Sequence, residues 1–134
     1  MSETTVTAVW TGPELQYLGT DAKGNKIRMG GDDISPAQML LLGLAGCMGM
    51  DVAHVLTKKR VAFKAIEVTV VGQQPNEYPR PFQIIEIKFQ VAGTGISPDA
   101  VAKAVSLSQD KYCVVGQTLQ QTVTIETSFE IIED

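Results

Sequence analysis

Apolar and polar positions alternate along much of this chain, and the long interruption is the run Ser35-Pro36-Ala37-Gln38-Met39-Leu40-Leu41-Leu42-Gly43-Leu44-Ala45-Gly46-Cys47-Met48-Gly49-Met50. Ser35 suits a helix N-cap and Pro36 the first helical position, so a helix is predicted over residues 36–59. Its first turns are apolar or small on every side, and such a helix has to be covered on every side. Gly43, Gly46 and Gly49 each cost up to ~1 kcal/mol relative to Ala in a helix interior. That cost is tolerable where another element packs very close, most simply another helix. The rest of the chain is too little to coat this helix all round. The pattern therefore predicts a homodimer whose sheets wrap a pair of central helices.

Around this helix the pattern predicts strands and shorter helices. Residues 5–10 alternate as a strand that Thr11-Gly12-Pro13 ends, and residues 15–20 and 26–29 form two more around a turn at Asp21-Ala22-Lys23-Gly24-Asn25. Strands are predicted over residues 65–71 and 82–91, joined by a connection with three prolines. In the second of these, Ile85, Ile87 and Phe89 alternate with Glu86, Lys88 and Gln90. Ser97-Pro98-Asp99 repeats the cap-plus-proline start for a helix over residues 100–109. Asp110-Lys111-Tyr112-Cys113 interrupts it, residues 114–120 suit another helical piece, and residues 122–132 close as a strand with Val123, Ile125 and Phe129 inward. The order βββ-α-ββ-αα-β predicts one α+β domain over residues 1–134 with antiparallel sheets.

Composition places the chain among soluble globular proteins, with 44% hydrophobic and 19% charged residues and a net charge of −4. Lys58-Lys59-Arg60 is the basic run, and it falls where cations suit a helix C-terminus, so no nucleic-acid partner is expected. The N-terminus has neither the basic nor the apolar region of a signal peptide. The apolar run over 39–50 is too short to span a bilayer and ends at Asp51. The expectation is a cytoplasmic protein with no membrane partner.

In a reducing compartment, two cysteines are either inert buried thiols or a redox pair. Cys47 lies among glycines that leave room beside its sulfur. Cys113 sits where a helical piece begins, and unpaired N–H groups there favour a thiolate. Asp51 and His54 share a helix face with Cys47, which lets a metal site with Cys113 be drawn. However, Cys47 and His54 are separated by ~10 Å along the axis, too far for one ion, so no metal is expected. Arg28, before Met29-Gly30-Gly31, is either a solvated strand-end cation or a group aimed at a thiol pocket. Arg80 poses the same choice on a loop.

Two stretches resemble one known family. Ser35-Pro36-x-x-Met39-Leu40-Leu41-Leu42-Gly43-Leu44-Ala45-Gly46-Cys47 is similar to the central-helix motif of the OsmC/Ohr family. Lys111-Tyr112-Cys113-Val114-Val115-x-x-Thr118-Leu119 is similar to its second cysteine motif, at compatible spacing. Ala104-Val105-Ser106-Leu107-Ser108 points to the YhfA-like branch. The resemblance implies an intertwined homodimer with active sites at the subunit interface, and reduction of organic or inorganic hydroperoxides in oxidative-stress defence. Cys47 would attack the peroxide, the sulfenic acid would condense with Cys113, and an external lipoyl-type dithiol would restore both thiols, with no resident cofactor. Arg28 occupies about the place of the activating arginine. Peroxidase members often carry a glutamate shortly after the helix-opening proline, where this chain has Ala37-Gln38. Gln38 can accept a hydrogen bond from Arg28 but brings no charge. Val114 also replaces a proline common after the second cysteine. These departures keep a second reading open, an OsmC-like binding protein for a small apolar or thiol ligand.

Overall fold

Short alternating segments and polar turns build the first 40 residues of the computed structural model, which describes all 134 residues. Strands β1 (Thr7–Trp10), β2 (Tyr17–Thr20) and β3 (Lys26–Met29) form an antiparallel sheet in that order. The β2–β3 turn is closed by Asp21, whose carboxylate accepts from the Lys23 and Asn25 backbone N–H groups and from the Asn25 side chain, with Gly24 at φ +89°. β2 begins two residues later than the pattern predicts. The Thr11 N–H donates to the Gln16 carbonyl and the Gln16 N–H to the Pro13 carbonyl, which folds residues 11–16 into a loop and takes Leu15 and Gln16 out of the strand.

Helix α1 runs Pro36–Lys58, within a residue of its predicted end. Ser35 caps it as expected, its Oγ accepting from the Gln38 N–H at 3.1 Å. At the C-terminus the Val61 N–H donates to the Leu56 carbonyl and the Arg60 N–H to the Thr57 carbonyl, both at 3.0 Å. This is a Schellman ending with Arg60 in the left-handed position at φ +59°. Only glycine takes that conformation freely. Arg60→Gly is therefore expected to stabilise the fold by about 0.5–1 kcal/mol, net of the extra freedom glycine gives the unfolded chain. Chemical denaturation of the reduced protein checks it.

The chain divides into two compact units, Met1–Leu40 and Leu41–Asp134. In the second, β4 (Phe63–Gln73), β5 (Ile84–Gly93) and β6 (Thr124–Glu133) form a sheet with β5 in the centre. The alternation in β5 is as expected: Ile85, Ile87, Phe89 and Val91 are buried, while Glu86 and Lys88 face out. β4 and β5 are antiparallel with Val68 opposite Phe89. β5 and β6 are parallel, with Phe89 opposite Phe129, which corrects the expectation of wholly antiparallel sheets. A parallel neighbour needs a crossover, and the helical stretch between β5 and β6 supplies it. That stretch holds α2 (Pro98–Leu107), a π-helical turn (Ser108–Tyr112) and α3 (Val114–Leu119).

The core of this unit lies between the sheet and the helices. Leu44, Met48, Val52, Val55 and Leu56 form one stripe of α1, and Val101, Ala104 and Val105 the inner stripe of α2. They cluster with the inward residues of β5. At 23 residues α1 is long and apolar enough to cross a membrane, so the length argument made for residues 39–50 does not exclude a span. Its packing is what makes it the core helix of a soluble fold. The glycines of α1 divide. A Cβ on Gly49 would lie 3.2 Å from Val68 Cγ2, so the close neighbour there is a strand side chain, not the expected helix. Gly43 and Gly46 face open space, beside exposed Leu42 and Met50.

Candidate active site

Cys47 and Asp51 stand one turn apart on α1, so their side chains project from the same face. The π-helical turn brings a third group to them. Its wider ring, closed by the Cys113 N–H donating to the Ser108 carbonyl at 2.9 Å, ends the α2 helical path and leaves Cys113 extended (φ −76°, ψ 106°) as the N-cap of α3. Gln109 pins this turn in place. Its side chain donates to the Ile125 carbonyl at 3.1 Å and accepts from Thr127 Oγ1 at 3.0 Å, and its carbonyl accepts from Gln117 Nε2 at 2.6 Å.

The result is a compact cluster. The two sulfurs and an Asp51 carboxylate oxygen all lie within 4.8 Å of one another. Both thiols are free, Cys113 fully buried and Cys47 half-buried. A disulfide requires about 2.05 Å between sulfurs, so the pair is at most roughly 3 Å from bonding distance. Asp51 is held by Ser108, whose hydroxyl donates to Asp51 Oδ2 at 2.8 Å.

The Cys113 thiol is pushed up from 9.0 to about 12, first by burial and then by a hydrogen bond with Cys47. The Gly116 N–H, donating to Cys113 Sγ at 3.2 Å, pulls the other way. The expectation that the α3 N-terminus makes Cys113 a thiolate is therefore corrected: the helix end does offer its N–H, but burial outweighs it. Folding favours the protonated thiol, so its contribution is complete below pH 9 and is lost as pH rises through 9 to 12. The reduced protein is expected to lose stability over that window more steeply than Cys113→Ala, measured by denaturant titration at several pH values.

Arg28 lies on β3 in the N-terminal unit, lining a cavity of about 300 Å³ with Gln16, Tyr17 and Asp33. Gln38 is exposed in the first turn of α1, where its backbone N–H completes the Ser35 cap. His54 is exposed and outside the thiol cluster, and it lines a cavity of about 600 Å³ with Asp51, Lys58, Lys103, Leu107 and Tyr112. Arg80 is taken up by its own loop: its Nε donates to the Pro75 carbonyl at 2.7 Å and its guanidinium stacks on Tyr78.

Ser108 is the site residue that the sequence reading does not single out. A signal was available: Val101, Ala104, Val105 and Ser108 follow the i, i+3, i+4, i+7 pattern of one buried face. A buried hydroxyl in that stripe needs a partner, and half-buried Asp51 is it.

The chain is similar to known proteins over most of its length. The family described as OsmC-like protein matches residues 29–128, a span that contains both cysteines. Protein YhfA of Escherichia coli strain K12 is 37% identical over 122 residues, 88% of this chain and 91% of that one. The crystal structure of a hypothetical protein from Aquifex aeolicus VF5 is similar at a TM-score of 0.91 and 29% identity, covering 100% of this chain and 99% of that one. An organic hydroperoxide resistance protein, OsmC, from Legionella pneumophila shares the fold at a TM-score of 0.70 and 14% identity, covering 97% and 98%. With the family's match spanning most of the sequence and a relative of this identity aligned over nearly all of it, the chain belongs to the OsmC-like protein family.

Proposed function

We propose that this protein is a thiol-dependent peroxidase that reduces hydroperoxides through a cycle between Cys47 and Cys113. The observation that carries the reading is the approach of both sulfurs within 4.8 Å. The reading also draws on the family's hydroperoxide-resistance members. Because Cys113 holds its proton at neutral pH, Cys47 is assigned the attack; it reacts as its thiolate, and the proton it gives up is consumed at the end of the cycle. The Cys47 thiolate displaces alkoxide from the peroxide O–O bond and becomes a sulfenic acid. The alkoxide, a much stronger base than a thiolate, takes the Cys113 proton and leaves as alcohol. The Cys113 thiolate then attacks the sulfenic sulfur, forming the disulfide and releasing hydroxide, which the first proton neutralises. An external dithiol, lipoyl-type by family resemblance, is oxidised as it returns both thiols.

Arg28 is assigned the activating role its motif implies, with Gln38 as a neutral supporting group. The exposed Leu42, Gly43, Gly46 and Met50 face of α1 is assigned to a second copy of the chain, giving a homodimer. Sedimentation of the reduced protein tests this directly, a monomer at micromolar concentration being the contrary result.

The activity test is dithiol-dependent consumption of tert-butyl hydroperoxide in steady state. Turnover supports the reading. Inertness towards organic peroxides and hydrogen peroxide alike overturns it, in favour of a binding protein with a small apolar or thiol ligand beside Cys47. The uncharged Ala37-Gln38 stretch is what keeps that second reading in view.

A further inference from the structure

We propose that the reduced protein binds one thiophilic divalent cation of the zinc type per chain, through Cys47, Cys113 and Asp51. The site uses the thiols of the peroxidase reading but does not depend on that activity. Two thiolates and a carboxylate are the donor types such a cation takes, each thiol releasing its proton to solvent as the ion binds, with a fourth position left for water. Around a tetrahedral ion these donors stand about 3.3–3.8 Å apart. They already lie within 4.8 Å of one another before any ion draws them in.

Three further features suit ligands more than incidental neighbours. Cys47 and Asp51 project from successive turns of one rigid helix, so two donors keep their relative placement. Asp51 accepts from the buried Ser108 hydroxyl at 2.8 Å, the kind of bond that fixes a metal-bound carboxylate. Cys113 Sγ already accepts an amide N–H, from Gly116 at 3.2 Å, an interaction that also tunes metal-bound sulfur. His54 is outside the cluster and is assigned no part in the site.

Coordination and disulfide formation draw on the same two sulfurs and exclude one another. The test uses Zn²⁺ alone, titrated into fully reduced, metal-free protein against a chromophoric competitor. One Zn²⁺ per chain is expected, with binding lost in the disulfide form and in the Cys47→Ser variant. Ser108→Ala is expected to weaken it about 10-fold to 100-fold. Should a variant fail to fold, the unaltered protein still decides the matter. Co²⁺ should give the absorption of tetrahedral thiolate coordination, and Zn²⁺ should slow alkylation of both cysteines. Absence of those signals, or Zn²⁺ binding equally to the reduced and disulfide forms, overturns the proposal. Peroxide turnover without metal binding would refute this site alone, and metal binding without turnover would leave it standing.

Discussion

Replacing Cys47 by serine is expected to lower dithiol-dependent hydroperoxide consumption by about three orders of magnitude or more, to the background of the dithiol alone. A serine hydroxyl is a far poorer nucleophile than a thiolate at neutral pH, and Cys113, buried and protonated there, is a poor substitute. Cys113→Ser is expected to behave differently. Its Cys47 still attacks once, but no partner sulfur stands within reach, so a sulfenic acid persists on Cys47 that a sulfenic-specific nucleophile will trap. The split between the two variants is informative because Cys113 is fully buried and held high, at about 12. If Cys113→Ser lost the first turnover as completely as Cys47→Ser, with both variants folded, the assigned order of the two sulfurs would be wrong.

The largest expected effect on stability is at Phe89. It sits in the central strand β5, fully buried, opposite Val68 on one side and Phe129 on the other. Truncation to alanine removes a ring between the sheet and the helices and leaves a cavity that a three-stranded sheet cannot easily close. The expected loss is about 3–5 kcal/mol, a large part of the ~5–15 kcal/mol that holds a domain of this kind together. Phe129→Ala, on the half-buried neighbouring strand, is expected to cost less. Urea denaturation of the two reduced variants, compared with the parent, measures both.

The residues that made elements legible were those with strong local signals. Ser35-Pro36 and Ser97-Pro98 mark two helix starts, and each serine Oγ does accept an N–H of the first turn. The alternation of Ile85, Ile87 and Phe89 with Glu86 and Lys88 marks the central strand and its buried face. Pairing direction was not legible. Nothing in residues 124–133 says whether they run with or against β5, because alternation looks the same in either case; the helical crossover before them is what sets it.

At the site, the motifs around Cys47 and Cys113 pointed to the pair, and the structure brings those sulfurs together across 66 positions of sequence. The charge state of Cys113 was misread because a helix N-terminus is visible in sequence, whereas the depth of burial that overrides it is not. For Ser108 the buried stripe was legible in the sequence but the partner was not. Its partner Asp51 lies 57 residues away, and only tertiary packing joins them.

The most direct test of the central claim is a stoichiometric one. Fully reduced protein receives one equivalent of an alkyl hydroperoxide without any reductant, and its thiols are then mapped by alkylation and peptide mass spectrometry. One equivalent of alcohol and a Cys47–Cys113 disulfide within each chain are expected. Two free, alkylatable thiols beside unconsumed hydroperoxide would contradict it.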